Sequence, residues 1–133
     1  MIYGIGIDLV NIKRMEKVIA RWEERFTKRV FTSGEIETCR RRSFPPSAYS
    51  LRFAAKEAFA KALGLGMRNG ISWRDIEVFH LPGGKPGIRA HGRSSEICRE
   101  NCITGFHLSL SDDGDYGTAV VVLEKSDETG KSI

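Results

Sequence analysis

The sequence predicts an α+β fold, a single domain of mostly antiparallel sheet packed with one long helix and shorter helices. An alternating, β-branched segment opens the chain, three helical segments follow it, and two pairs of strand-like segments joined by short turns come later. Strands joined by short turns pair antiparallel, and this order of elements indicates α+β. No repeat or linker divides the 133 residues. We expect a domain over residues 1–125 and a polar tail over residues 126–133.

The first half of the chain predicts one strand and three helices. Alternation in "IYGIGIDLV" indicates a strand over residues 2–9. Capping residues, an early proline and a terminal glycine then mark the helices. They run from Asn11 to about Arg29, over residues 34–42 after Ser33, and from Pro46 to Leu63 before Gly64.

The second half predicts two β-hairpins that flank a short helix. "DIEVFHL" and "GIRA" enclose the turn "PGGKP", the helix covers "SSEICREN", and "ITGFHLSLS" and "YGTAVVVLE" enclose "DDGD". The segment "TAVVVLE" carries apolar side chains on both strand faces. That pattern predicts a strand buried on both sides, as at a contact between subunits.

The composition favours a phosphate-bearing ligand or an acidic partner. The chain has 21 Lys and Arg against 17 Asp and Glu, a net charge of +4, and a pI of about 9.1. Its three cysteines form no paired framework, so we expect reduced thiols and a cytoplasmic protein. No leader or membrane-length apolar segment occurs, so we expect no membrane partner.

The long helix carries a charged pair beside its alanine-rich apolar stripe. Glu57 and Lys61 lie one turn apart, and the plain interpretation is a surface ion pair that contributes about 0.2–0.5 kcal/mol. However, Phe53 and Ala60 border the pair, and a glycine-rich loop follows the helix. Backbone can approach a ligand closely in such a loop, so the pair is also a candidate site.

Two strands add further candidates. On the first strand, Gly4, Gly6 and Asp8 share one face, and we expect the opposite face, with Ile5 and Ile7, to be core. Asp8 then lies at the mouth of a cleft left open by the glycines, or is an ordinary strand-end residue before a helix. His107, on the polar face of "FHLSLS", is either an ordinary polar residue or a group that binds phosphate or moves a proton.

Together these residues suit magnesium-assisted phosphate chemistry. Carboxylate oxygens hold a hard cation, and cations neutralise phosphate oxygens. Zinc is disfavoured because no cluster of cysteine and histidine ligands occurs. "GLGMRNG" follows a helix and lacks a lysine–serine ending, which argues against a P-loop.

The pairing of "GIGIDLV" with "RFAAKEAFAKALG" resembles the small holo-acyl-carrier-protein synthases, the short class of 4'-phosphopantetheinyl transferases. The family pattern is a G-[IV]-D strand followed by an F/W-x-x-K-E-x-x-x-K helix. Phe53, Lys56, Glu57 and Lys61 fit the helix, and "GKP" at 84–86 and "HLSLS" at 107–111 also match. The likeness covers nearly all of residues 1–125.

The resemblance implies a magnesium-dependent transfer of phosphopantetheine from coenzyme A to a serine of apo-acyl carrier protein, which releases adenosine 3',5'-bisphosphate and serves fatty acid biosynthesis. It also implies a homotrimer with sites between subunits. Asp8 and Glu57 would ligate Mg²⁺. Glu57, directly or through metal-bound water, is the candidate base; Lys61 would stabilise the leaving oxygen, with His107 as a third catalytic residue. The implied coenzyme A contacts are Arg52, Lys61, Gly64, Gly66, Lys85, Pro86 and His107.

Family members dock the acidic carrier on their first helix. Arg14, Arg21 and Arg25 recur along one side of that predicted helix, where the alternative is a solvated basic face. Two positions depart from the family pattern. Asp112 replaces a second histidine, and Leu65 replaces a threonine in the loop after the long helix.

Two other functions stay open from sequence. A small basic nucleic-acid-binding module would explain the pI and "CRRR", but it leaves Asp8 and Glu57 without a role, so we expect no nucleic-acid partner. A non-catalytic member that only binds coenzyme A or a carrier is the second alternative. Magnesium-dependent activity on an apo-carrier separates it from an enzyme.

Overall fold

The structure, a computed structural model, describes residues 1–126, so the predicted tail lies almost wholly outside the described residues. Within residues 1–126, no helix has the length and apolar character needed to cross a membrane. The elements in chain order are β1 (Ile2–Asn11), α1 (Ile12–Trp22), α2 (Glu24–Val30), α3 (Ser33–Arg40), α4 (Pro45–Ala62), a 3₁₀ turn (Trp73–Asp75), β2 (Ile76–His80), β3 (Pro86–Ala90), α5 (Gly92–Glu100), β4 (Ile103–Asp113) and β5 (Tyr116–Lys125).

The strands form a three-stranded antiparallel sheet and a separate hairpin. β5 lies between β1 and β4 in the sheet, and β2 pairs with β3. The long helix α4 packs on the inner sheet face, where Ala119, Val121 and Leu123 are fully buried. The α+β prediction with antiparallel strands is thereby confirmed.

Gly4 and Gly6 bring β1 into direct contact with α4. A Cβ atom at Gly6 would lie 1.8 Å from the carbonyl oxygen of Ala58, and one at Gly4 would lie 2.0 Å from that of Ala62. Only glycine therefore fits at either position. The prediction of close approach is correct, but the glycines face the backbone of α4 and leave no open cleft.

The two faces of β1 are the reverse of the prediction. Ile5, Ile7 and Leu9 are 60%, 60% and 63% exposed, whereas Gly6 is buried against α4. The alternation in β1 determines which residues share a face, but it does not determine which face is buried. The helix α4 packs on the glycine face because two backbones can approach closely there. The apolar face is consequently left uncovered by the rest of residues 1–126.

We call that surface the outer sheet face. It carries three of the exposed apolar residues of β1, two half-buried valines of β5 and two exposed polar residues of β4. Antiparallel register places these side chains opposite one another: Ile5, Ile7, Leu9, Val120, Val122, His107 and Ser109. Within one chain, the last strand is therefore fully buried on its inner side only.

The first predicted helix is two helices. Asn11 caps α1 as predicted, and its Oδ1 accepts the amide of Arg14 at 2.9 Å. The chain then breaks at Glu23, which has a positive φ of 50°, and α2 starts afresh. No glycine or proline marks this break, which is why helical periodicity runs through it in the sequence.

The cap of α3 also differs by one residue from the prediction. Thr32, and not Ser33, is the N-cap: its Oγ1 accepts the Glu35 amide at 3.2 Å, and the Glu35 carboxylate accepts the Thr32 amide at 2.8 Å. This reciprocal pair is a capping box. It fixes the position of Glu35, a buried carboxylate that also contacts α4 and β2.

Candidate functional site

The structure brings Asp8, Glu57 and Lys61 together. Asp8 lies on the glycine face of β1, where it faces α4, and it lines a cavity of about 320 Å³ with Glu57. Lys61 Nζ lies 3.0 Å from Asp8 Oδ1 and donates to the Ile7 carbonyl at 3.0 Å. Lys61 therefore pairs with Asp8 on β1, so an ion pair with Glu57 on the helix surface does not describe the contacts of Lys61.

The cavity holds two carboxylates close enough to interact. Burial raises the pKa of Glu57, the negative charge of Asp8 raises it further, and Lys61 opposes both effects. The Asp8 side chain is only 17% exposed. A second cation in this cavity would relieve the repulsion between the two carboxylates.

The side chains at this cavity suit Mg²⁺ better than they suit a metal ion that is held entirely by protein ligands. Within residues 1–126, no three His, Cys, Asp or Glu side chains are grouped as ligands for a metal. Mg²⁺ characteristically uses one or two carboxylates and completes its shell with water and substrate phosphates. Asp8 and Glu57 meet that requirement.

The loop after α4 turns sharply at two glycines. Gly64 and Gly66 have φ angles of 84° and 63°, and their amides donate to the carbonyls of Lys61 and Ala60, which ends the helix. A Cβ atom at Gly64 would meet nothing within 4 Å, so this side of the loop is open. Leu65, the departure from the family pattern, packs against the main core cluster.

Other predicted coenzyme A contacts do not lie at this cavity within one chain. His107 is on the outer sheet face, opposite to Asp8, and its Nε2 lies 2.7 Å from Glu124 Oε1. Lys85 and Pro86 belong to the separate β2–β3 hairpin. A single chain thus splits the predicted site between the two sides of its sheet.

Arg52 is also placed away from the cavity. It is 2% exposed, its Nη1 donates to the Ala48 carbonyl at 3.1 Å, and its Nη2 lies 3.3 Å from His80 Nδ1. Its buried Nε has no hydrogen-bond partner among residues 1–126. Burial and the charges of Arg52 and Arg42 lower the pKa of His80. No sequence pattern indicated a role for His80, because one histidine at the end of a strand is an ordinary feature.

The three predicted docking arginines do not share one continuous helix. Arg14 is on α1 and lines the same cavity as Asp8, whereas Arg25 follows the break and belongs to α2. Arg21 and Arg25 lie over the ring of Trp22, with guanidinium carbons 5.0 and 5.4 Å from its centroid. Trp22 is 42% exposed, so it belongs to this basic surface and not to the core side.

Asp112, the second departure, contacts the start of α4. Its Oδ2 accepts a hydrogen bond from Ser47 Oγ at 3.0 Å. The first turn of α4 has no acidic residue, and its N-cap, Phe44, provides no side-chain bond. Asp112 therefore supplies the negative charge that a helix N-terminus favours.

Replacing Asp112 by asparagine keeps the shape and removes that charge. We expect a loss of about 0.3–1 kcal/mol in unfolding free energy, with unchanged transfer activity, because only the interaction with the helix dipole is lost. Urea unfolding at low and high salt measures it, and the neighbouring exposed Asp113→Asn is the matched control. Equal stability of the two variants at low salt would contradict this role.

The fold and site now permit comparison with known proteins. A family model described as the 4'-phosphopantetheinyl transferase superfamily matches residues 4–121. The chain belongs to this superfamily. Membership confirms the resemblance and the prediction of an enzyme of this class.

Individual relatives of the superfamily agree with this placement. The holo-[acyl-carrier-protein] synthase of Syntrophus aciditrophicus is 47% identical over 124 residues, which cover 93% of this chain and 97% of the relative. The crystal structure of the Neisseria meningitidis synthase matches with a TM-score of 0.86 and 40% identity, over 94% of this chain and all of that one. The Helicobacter pylori synthase, solved in complex with coenzyme A, matches with a TM-score of 0.80 and 34% identity, over 90% and 99% of the two chains.

Proposed function

We propose that this chain transfers the 4'-phosphopantetheine group from coenzyme A to a serine of an apo-acyl carrier protein, with Mg²⁺, in fatty acid biosynthesis. The observation that carries the proposal is that Asp8 and Glu57 line one cavity, with Lys61 Nζ 3.0 Å from Asp8 Oδ1, in a phosphopantetheinyl transferase fold. Superfamily relatives bear the synthase name, and one of them was solved with coenzyme A. A cytoplasmic location stays a prediction.

The three residues divide the chemistry between them. Asp8 and Glu57 would hold Mg²⁺, which when bound supplies neutralising charge to the pyrophosphate of coenzyme A. The serine oxygen attacks the β-phosphorus, and the bond from that phosphorus to the oxygen of the adenosine-side phosphate breaks. Glu57 would take the serine proton, and the Lys61 ammonium would stabilise the leaving oxygen.

A complete coenzyme A site then draws on a second copy of the chain. The outer sheet face exposes three large apolar residues of β1, which favours burial against another subunit. The same face carries His107. Among residues 1–126, Arg52 Nε is a buried donor without an acceptor, and a phosphate oxygen would satisfy it. We therefore place Arg52, Lys85, Pro86 and His107 of one copy opposite Asp8, Glu57, Lys61 and the Gly64–Gly66 loop of the next, in a homotrimer.

The direct test of the function is a mass measurement. The protein, Mg²⁺, coenzyme A and an apo-acyl carrier protein are mixed, and the mass of the carrier is measured by mass spectrometry before and after the reaction. The expected result is the added mass of the phosphopantetheine arm, abolished by EDTA and restored by Mg²⁺. Coenzyme A binding without any added mass would leave only the non-catalytic binding role.

Docking of the carrier is expected to depend on the arginines of α1 and α2. Changing Arg14, Arg21 and Arg25 to glutamate should weaken binding of an acidic carrier. Arg14→Glu alone checks for an effect on coenzyme A binding, because Arg14 lines the cavity with Asp8 and Glu57. Each exposed contact contributes only about 0.2–1 kcal/mol, so the triple variant is the informative one. The loss should shrink at high salt, because the Debye length falls to about 3 Å at 1 M.

Carrier titrations at low and high salt measure this effect. The control reverses three exposed arginines elsewhere, Arg41, Arg74 and Arg99, with the same change in net charge. If both triple variants lose equal affinity, net charge and not a docking surface is responsible. If the variant with Arg14, Arg21 and Arg25 changed instead loses affinity for RNA, the result supports the nucleic-acid-binding alternative.

A further inference from the structure

Lys56 is a charged residue at the centre of the fold. Its side chain is fully buried, in a helix whose other buried residues are mostly alanine and aromatic. The ammonium donates to Glu35 Oε1 at 2.8 Å, to the Trp73 carbonyl at 3.1 Å and to the Ile76 carbonyl. All three of its N–H donors therefore have acceptors.

Glu35 is equally committed. Besides Lys56, its carboxylate accepts the backbone amides of Thr32 at 2.8 Å and Val78 at 2.7 Å. One buried ion pair thus ties together the N-terminus of α3, the middle of α4 and strand β2. None of these three elements can rotate or slide without breaking a charge-assisted hydrogen bond.

Stability alone does not require this pair. Two charges lose their hydration on burial, and well-packed apolar residues often replace such a pair without loss. Burial lowers the pKa of Lys56, and the Glu35 charge opposes that shift. What the pair provides beyond an apolar core is a fixed direction and distance between its elements.

Of these elements, α4 lines the cavity, with Phe53 and Glu57. Glu57 follows Lys56 on α4, so the rotation of the helix that satisfies Lys56 also sets where Glu57 points. Trp73, whose carbonyl binds Lys56, stacks on Phe53 with ring centroids 4.8 Å apart and an interplanar angle of 22°. Phe53 lines the cavity together with Glu57 and Asp8.

We propose that the buried Lys56–Glu35 pair positions the reaction site: it fixes the rotation of α4 and the Trp73–Phe53 stack so that Glu57 faces Asp8. Lys56 touches no substrate in this scheme and acts only through Glu57 and Phe53. The proposal rests on the proposed function of the cavity.

The test separates positioning from folding with paired variants. Lys56→Met leaves a buried carboxylate unpaired and should lower the melting temperature strongly. Lys56→Met combined with Glu35→Gln removes both charges and should recover most of that loss. Even with its stability recovered, the double variant should bind Mn²⁺, the probe ion, about 10-fold or more weakly than wild type. Its turnover should be about 10- to 100-fold slower, because small displacements at a site have effects of that size.

Ser50→Ala is the matched control. Ser50 is a buried polar residue of the same helix, and within the described part of the chain its Oγ bonds only to the Pro46 carbonyl, at 2.7 Å. Its loss should lower stability slightly and leave Mn²⁺ affinity unchanged. Mn²⁺ affinity is measured by electron paramagnetic resonance, without coenzyme A or carrier.

The outcomes are distinct. A double variant that regains stability, Mn²⁺ affinity and rate together would show that the pair serves folding alone, and the proposal falls. If the double variant does not fold, Glu35→Asp keeps both charges and shortens one side chain; unchanged Mn²⁺ affinity and rate there would equally overturn it. A wild-type chain that binds Mn²⁺ but never modifies a carrier removes the proposed function instead.

Discussion

Asp8→Asn and Glu57→Gln are each expected to abolish phosphopantetheine transfer while the protein stays folded. The two carboxylates would share one cation, and loss of either removes several kcal/mol of charge stabilisation. Since about 1.4 kcal/mol corresponds to a factor of ten, we expect a rate loss of about 1,000-fold or more at low Mg²⁺. Excess Mg²⁺ should restore part of the rate. Mass spectrometry of the carrier measures it, with exposed Glu37→Gln on α3 as control.

Glu57→Gln should lose activity but should not lose stability. A carboxyl group whose pKa is raised in the folded state binds protons more readily there than in the unfolded chain. Its ionised form therefore costs stability at neutral pH, and that cost disappears as pH falls through the raised pKa. In metal-free buffer, the glutamine variant should be at least as stable as wild type near pH 7. A near-normal rate in either carboxylate variant at low Mg²⁺ would contradict the metal assignment.

Ile7→Lys is expected to separate the subunits and remove activity with them. Ile7 is 60% exposed in the single chain and lies in the middle of the outer sheet face, so the substitution spares the chain's own core. In an assembly, the same lysine would be an unpaired charge buried in an apolar contact. We expect a folded monomer in sedimentation velocity and a rate reduced about 100-fold or more. Glu96→Lys, which adds positive charge on exposed α5, should remain trimeric.

A mixing experiment tests the shared site more directly. Glu57→Gln and His107→Ala each damage a different half of the proposed site. If each site takes Glu57 from one copy and His107 from its neighbour, trimers assembled from both variants contain some intact sites. Co-refolded mixtures should then regain activity that neither variant has alone. A stable, active monomer of the wild-type chain would remove the shared-site model entirely.

The sequence predicted the carboxylate pair because its signals are local. Strand alternation places Asp8 beside the two glycines, helical spacing places Lys61 one turn after Glu57, and the family pattern joins the two segments. The cap at Asn11 and the stop at Gly64 are likewise set by neighbouring residues. Each of these depends on chemistry within a few positions along the chain.

What the sequence did not predict is which residues become buried when the elements pack together. Exposed Ile5 contradicts the predicted core face of β1, and nothing in the local sequence indicates that Lys56 is buried. For Ile5 the reason is that two glycines let a helix pack on the other side of the strand. For Lys56 the reason is a set of acceptors on Glu35, Trp73 and Ile76, which are distant in sequence. Only the tertiary arrangement decides such cases.

Gly4 and Gly6 also determine how the site responds to disturbance. At these two positions no side chain separates β1 from α4, so two main chains touch where most proteins place interchangeable apolar groups. The separation of Asp8 and Glu57 is consequently set by backbone contact and, through Lys56, by the rotation of α4. Repacking of apolar side chains in the rest of the core should change that separation little. Substitutions of apolar core residues away from the Lys56–Glu35 pair should therefore lower the stability of the protein well before they change the distance between the two carboxylates.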